Sequence, residues 1–222
     1  AIHNNPSALI YGEGWDMPTM LQGSQKANIH NQGAMPHIGH FNDYFRDVIK
    51  GKTSESEKYE RGYATGKWEN AFASLAGLTA NVLDTPHYKR FFSPDQSING
   101  FETHDNSTVW DKMHACCNNE DRATRIRRQK MMIAITMVSQ GIPFVHAGFE
   151  FCDTKKDNHN SYNAPDEINR MDWERMEYYQ EVVKYFRKAT ALRRSVSEFC
   201  LKTALEINEK VKVWVADDQT VF

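Results

Sequence analysis

The segment Ile98-Asn99-Gly100-Phe101-Glu102-Thr103-His104-Asp105-Asn106 reads as an extended run that stops on a histidine, an aspartate and an asparagine. Ala8-Leu9-Ile10-Tyr11-Gly12-Glu13-Gly14-Trp15-Asp16 has the same shape: apolar and aromatic residues, a glycine-flanked carboxylate, then a tryptophan. Glycines on both sides leave open space around Glu13, and the Trp15 indole offers a flat apolar wall suited to a sugar ring. Hydrolysis of a glycosidic bond asks for one carboxylic acid to protonate the leaving oxygen and for a second carboxylate beside it. Glu13 suits the acid. His104 and Asp105, adjacent on one strand end, suit groups that grip ring hydroxyls and stabilise positive charge at the reacting carbon.

Such groups need a scaffold that brings strand ends together. Short apolar runs alternate here with amphipathic stretches, the pattern of a parallel sheet with crossover helices, an α/β fold. Strands are predicted at Ala8 to Tyr11, Ile38 to Phe41, Ile98 to Thr103 and Phe144 to Ala147. Helices are predicted at Tyr44 to Ile49, stopped by Gly51, less firmly around Trp68 to Leu83, then at Arg122 to Gln140 and at Glu174 to Arg194. In the third of these, Ile126, Ile133, Ala134, Met137 and Val138 form one stripe; in the last, Tyr179, Val182, Val183 and Phe186 do. Four strand–helix units result, with Glu13, Asp43, Asp105 and Glu150 at carboxyl ends of strands, where functional groups of such sheets gather. A long polar loop covers Cys152 to Asp172, and loops of that length are often functional. From Lys202 the period becomes two at Val211, Val213 and Val215, which predicts antiparallel strands after a boundary near Ser195 to Phe199.

With 222 residues, 40% of them hydrophobic and 12% aromatic, the chain can bury a substantial core, and its formal charge of -2 gives no electrostatic case for nucleic acid. Arg125, Arg127, Arg128 and Lys130 fall within a helical pattern and read as its solvated face. No stretch reaches the roughly 18 apolar residues of a membrane span, so a soluble chain is expected. Cys116, Cys117, Cys152 and Cys200 contain no CxxC pair, which argues against a zinc or thioredoxin-like motif and for reduced thiols. No Gly-rich phosphate loop occurs, and no cofactor is implied. His37-Ile38-Gly39-His40 spells a synthetase nucleotide motif, but its companion loop is missing, and a metal at His37 and His40 would lack a third ligand. The chain opens on Ala1 without a basic-then-apolar leader, which predicts a processed product, a subunit fragment or a piece of something longer.

Tyr11-Gly12-Glu13-Gly14-Trp15 and Phe101-Glu102-Thr103-His104-Asp105-Asn106 resemble the third and fourth sequence regions of the α-amylase family, glycoside hydrolase family 13. Phe41-Asn42-Asp43-Tyr44-Phe45-Arg46-Asp47 resembles the strand 6 segment of its debranching branch. Asn106-Ser107-Thr108-Val109-Trp110-Asp111-Lys112, Gly148-Phe149-Glu150-Phe151 and Asn160-Ser161-Tyr162-Asn163-Ala164-Pro165-Asp166-Glu167-Ile168-Asn169 narrow the resemblance to type I pullulanases. It implies strands 5 to 8 of a (β/α)8 barrel over residues 1–197 and the start of a C-terminal β-sandwich over 198–222. It implies Glu13 as general acid/base, Asp105 as transition-state stabiliser, His104 at the cleavage subsite and Trp15 on the acceptor side. Asn106, Asp166 and Asn169 become glucan contacts, while Asn42, Asp43, Arg46 and Asp47 are expected in barrel-top hydrogen bonds and ion pairs. The implied activity is retaining hydrolysis of α-1,6-glucosidic bonds in pullulan, amylopectin or glycogen-derived glucans. The family's nucleophile, an aspartate after strand 4, is expected outside this chain. Partners are then an α-glucan and the missing N-terminal half of the barrel, with neither nucleic acid nor membrane. A non-catalytic glucan-binding or interaction fragment is the alternative. Family members occur on both sides of the membrane, and the unpaired cysteines favour a cytoplasmic location.

Overall fold

A computed structural model describes residues 5, 8–85, 87–218, 220 and 221. The outer ends of the two expected domains, residues 1 and 222, lie outside that set. Four strands form one fully parallel sheet in chain order, β1 (Ile10–Gly12), β2 (Ile38–Phe41), β3 (Ser97–Asn99) and β4 (Ile142–Pro143). The eight α-helices among the described residues are α1 (Asp43–Ile49), α2 (Ala71–Leu78), α3 (Val109–Cys116), α4 (Arg122–Val138), α5 (Asp166–Asn169), α6 (Trp173–Tyr178), α7 (Gln180–Ser195) and α8 (Ala204–Lys210). Parallel strands need crossovers, and α1–α2 and α3–α4 supply them between β2 and β3 and between β3 and β4. Between β1 and β2 the chain departs from a strand–helix unit: only two short 3-10 stretches, Gly23–Gln25 and Ile29–Ala34, occupy the connection.

Five of the eight helices, α1, α3, α4, α6 and α8, open on a side-chain cap. Asn42 accepts the Phe45 N–H at 3.0 Å to open α1, Thr108 accepts the Asp111 N–H at 3.1 Å to open α3, and Asp121 accepts the Thr124 N–H at 2.7 Å to open α4. The Asn42 side-chain amide also lies within 3.0 Å of Asn81, Ser97 and Asn99, a buried polar cluster that ties β2 to β3. Arg46 pairs with Asp43 at 2.7 Å and Asp47 at 2.8 Å, so the expected hydrogen bonds and ion pairs of this segment are present.

The main core joins Phe45, Ile49, Phe101, Val109, Met113, Met132, Ile133 and Val182, packing α1, α3, α4 and α7 around the sheet. The buried stripe of α4 comprises Ile126, Gln129, Met132, Ile133, Thr136 and Met137. Val138, in the last turn, is 37% exposed instead, and around it the helix end meets the Arg193 guanidinium. That group donates to Met137, Ser139 and Gly141 carbonyls at 2.7–2.8 Å, satisfying acceptors that a helix end leaves open.

Two more expectations shift. The strand after α4 lies two residues earlier than Phe144, since Gly141, at φ +89, turns the chain directly into Ile142. The helix predicted over 174–194 breaks at Tyr179, at φ -106 and ψ 30, into α6 and α7. After residue 198 the first element is a helix, α8, with the Thr203/Glu206 capping box, and its Ile207 packs on Val82 and Phe91. Valine alternation beyond it yields one antiparallel bridge, Val215 to Val221. The Thr203-Ala204-Leu205-Glu206 start signal outweighs β-pattern there because both reciprocal cap bonds form.

Candidate functional site

At the carboxyl ends of β1, β2 and β3 lies a cavity of about 520 Å³. Its floor is aromatic. Tyr11, Phe41 and Phe144, from β1, β2 and just beyond β4, meet edge to face, with ring centroids 6.0 Å apart for the first pair and 4.9 Å for the second. Edge-to-face contact is a favoured geometry for such rings and locks the three together as one apolar wall of the cavity.

Of the seven residues expected in a site, five line this one cavity: Glu13, Trp15, His104, Asp105 and Asn106. They arrive on two turns. Glu13 follows β1 directly, and Gly14 behind it adopts φ +75 while its carbonyl accepts the Ile29 N–H at 3.0 Å. A Cβ at Gly14 would come within 2.6 Å of the His40 ring, so only glycine lets the turn lie down on that buried histidine. Trp15 is 36% exposed and stands at the rim.

The second turn, 103–108, hangs between two buried anchors. Lys50 at the end of α1 donates to the Phe101 carbonyl, and Glu102 accepts the Val109 N–H that opens α3. Both side chains are almost wholly enclosed, with the Glu102 carboxylate also 3.6 Å from His146 Nδ1. Burial, then the Arg46 charge nearby, pulls the Lys50 ammonium down to about 7. Within the turn the Asp105 N–H donates to Thr103 Oγ1 at 3.2 Å, Asn106 takes φ 66, and His104 Nε2 stands 3.5 Å from Asp105 Oδ1. Glu13, His104 and Asp105 all face solvent across the cleft.

Asp43 also lines the cavity, and burial pushes its carboxyl up to about 6 against the pull of Arg46, whose Nη1 lies close but off the hydrogen-bond axis. Glu150, the fourth strand-end acid, turns inward to accept the Gly148 N–H at 3.1 Å. Asp166 and Asn169 sit on α5, away from the cavity lining. The Asn169 amide donates to the Ser161 and Ala164 carbonyls at 2.6 and 3.0 Å and shapes its own loop.

Lys50, Glu102, His146 and the aromatic floor escaped sequence reasoning. Lys50 reads as an ordinary cation at a helix C-terminus, and Glu102 as one more polar residue in the motif; only the meeting of α1, β3 and α3 buries them together. Among the described residues no cluster of three or more His, Cys, Asp or Glu side chains could hold a metal ion, and no helix is long and apolar enough to cross a membrane.

What this arrangement can do is bring a carboxylic acid on one turn and a histidine–aspartate pair on another to one aromatic-floored cleft. No family model matches the chain. It is 40% identical over 207 residues to a pullulanase of Bacillus subtilis strain 168, a match covering 93% of this chain and 29% of that protein. Its structure superposes with a TM-score of 0.92 on pullulanase type I from the same organism complexed with maltose, at 38% identity over 96% of this chain and 30% of the other. The pullulanase of Anoxybacillus sp. LM18-11 complexed with maltotriose gives 0.90 at 39% identity, again over 96% of this chain and 30% of the other. The chain thus spans less than a third of the length of these relatives.

Proposed function

This chain is a homologue of a segment of the type I pullulanases, in glycoside hydrolase family 13, and we propose that it forms part of the catalytic barrel of an α-glucan debranching hydrolase. The reaction is retaining hydrolysis of α-1,6-glucosidic bonds in pullulan, amylopectin or glycogen-derived glucans. The observation that carries this reading is convergence: Glu13 from the end of β1 and the His104-Asp105-Asn106 turn from the end of β3 open into one cleft over three aromatic rings.

In this proposal β1 to β4 are strands 5 to 8 of the barrel, residues 1–197 belong to that domain, and residues 198–222 lead into the next. Glu13 protonates the leaving glucosidic oxygen and then deprotonates the attacking water. Asp105 stabilises the oxocarbenium-like transition state, with His104 holding hydroxyls of the reacting sugar. Trp15 stacks at the rim on the acceptor side, and Asn106 contacts the chain beyond it. Asp166 and Asn169 act through the position of their loop, since the Asn169 amide is already committed to two carbonyls. A retaining mechanism needs a nucleophilic carboxylate about 5 Å from the acid. We assign that group to polypeptide outside this chain, joining across the free edges of β1 and β4. The partners are accordingly an α-glucan and the complementary part of the barrel, in the cytoplasm.

The test is maltotriose release from pullulan. The chain by itself should release none, and the longer protein carrying it should lose several orders of magnitude in rate with Glu13→Gln or Asp105→Asn while glucan binding persists. Losses below tenfold for both variants would mean that the roles are misassigned. Turnover by the chain alone, abolished by Glu13→Gln, would show that the nucleophile lies within it.

A further inference from the structure

Away from the cleft, α3 ends on two adjacent thiols, Cys116 and Cys117, buried at 7% and 0% exposure with Sγ atoms 3.6 Å apart. The pair is held from both sides. Arg61 Nε donates to the Cys116 carbonyl at 2.8 Å, Arg125 donates to the Cys117 carbonyl at 3.2 Å, and Cys117 Sγ lies 3.4 Å from the Thr65 carbonyl. The Cys117 thiol as hydrogen-bond donor, aided by the Lys112 and Arg61 charges, draws Cys116 below the ordinary thiol range, while the same contact and burial push Cys117 above it.

Such a pair could close on itself or close on something else, and the distances decide. A trans peptide fixes the two Cα atoms about 3.80 Å apart. Disulfides usually span Cα atoms about 4.4–6.8 Å apart with a bond of about 2.05 Å. Joining these sulfurs directly would thus demand strain as well as a large closing movement from 3.6 Å. Two bonds of about 2.3 Å to a single centre, at a near-tetrahedral angle, put sulfurs roughly 3.8 Å apart, close to the spacing found. Zinc itself is not served, because the described residues offer no cluster of three ligands. The fitting centre is soft, angular and needs only two protein sulfurs.

We propose that Cys116 and Cys117 form a two-sulfur clamp for trivalent arsenic, the simplest thiophilic centre of that kind. With arsenous acid, two arsenic–oxygen bonds break and two arsenic–sulfur bonds form. The two thiol protons leave with the two hydroxyls as water, the third hydroxyl stays on arsenic, and no oxidation state changes. The proposal is independent of the glucan reading.

The experiment is native mass spectrometry of the chain titrated with arsenite in excess reduced glutathione, a monothiol competitor. One arsenic per chain, with loss of two waters, is expected. Because two linked ligands gain about 10²–10⁴ over either alone, Cys116→Ser or Cys117→Ser should each weaken uptake at least about a hundredfold. Cys152→Ser and Cys200→Ser should leave it unchanged, and circular dichroism should show all four variants folded. Uptake that survives Cys116→Ser, or that is lost with Cys152→Ser or Cys200→Ser, overturns the assignment. So does a folded chain that takes no arsenic while the urea-unfolded chain does.

Discussion

Replacing Gly14 with alanine should damage both the fold and the site, and the structure says by how much. The new Cβ would lie 2.6 Å from His40 Cδ2 and 2.8 Å from its Cβ and Cγ, where ordinary contacts begin near 3.4 Å. His40 is 1% exposed, so its ring has nowhere to go. The backbone there holds φ +75, which costs an L-residue about 1–2 kcal/mol. Overpacking of a filled interior adds about 1–3 kcal/mol, for a total of about 2–5 kcal/mol. At about 2–4 °C per kcal/mol for a chain of this size, the melting temperature should fall on the order of 4–20 °C. Urea denaturation of Gly14→Ala, His40→Gly and the double variant separates the two causes. In the His40→Gly background all three clashing atoms are gone, and Gly14→Ala should cost only the conformational part, about 1–2 kcal/mol. In the proposed debranching hydrolase the same substitution should move Glu13, and a displacement near 1 Å would cost about 10²-fold in rate. Equal stability costs in both backgrounds would refute the reasoning, since they would mean that His40 is not what the turn rests on.

Truncating Glu102 to alanine leaves the buried Val109 N–H without an acceptor and Lys50 without the opposite charge that most favours its protonated form, so unfolding free energy should drop by about 2–4 kcal/mol. Glu102→Gln keeps an acceptor and should lose less than half of that by the same urea titration. Lys50 gives a pH signature: its pKa falls from 10.5 in the open chain to about 7 in the fold. Its burial penalty is therefore full below about pH 7 and is relieved as pH rises toward 10.5, where the folded chain has already released the proton. The stability advantage of Lys50→Met over the parent should shrink between pH 6 and pH 9, and a constant difference would contradict the shift. The unpaired edges of β1 and β4, with Leu9 and Tyr11 nearly half exposed, should make the isolated chain self-associate in sedimentation. A monodisperse monomer at micromolar concentration would count against the half-barrel proposal.

Much of the positioning was legible because it depends on neighbours in sequence. Gly12-Glu13-Gly14 announces an open turn at a strand end, Asn42 and Asp121 announce helix starts, and the stripe of α4 announces a buried face. Boundaries failed where a single backbone torsion decided them, at Gly141 and at Tyr179, since periodicity carries no information about one residue's φ. The α8 helix is carried by the short Thr203/Glu206 cap, a signal of four residues beside the longer valine alternation that follows it.

By itself, the sequence determined which groups are available for chemistry and which strand ends present them: Glu13 and Trp15 on one, His104, Asp105 and Asn106 on another. Only the tertiary structure decided that these two turns share a cleft, that Tyr11, Phe41 and Phe144 make its floor, and that Asn169 spends its amide on its own loop. It alone decided that Lys50 and Glu102 suspend the His104-Asp105 turn from below. The physical reason is range. Turns, caps and amphipathic stripes are set by residues a few positions apart, whereas burial of Lys50 against the Phe101 carbonyl and the meeting of Phe41 with Phe144 depend on residues far apart in the chain, whose partners no local pattern names.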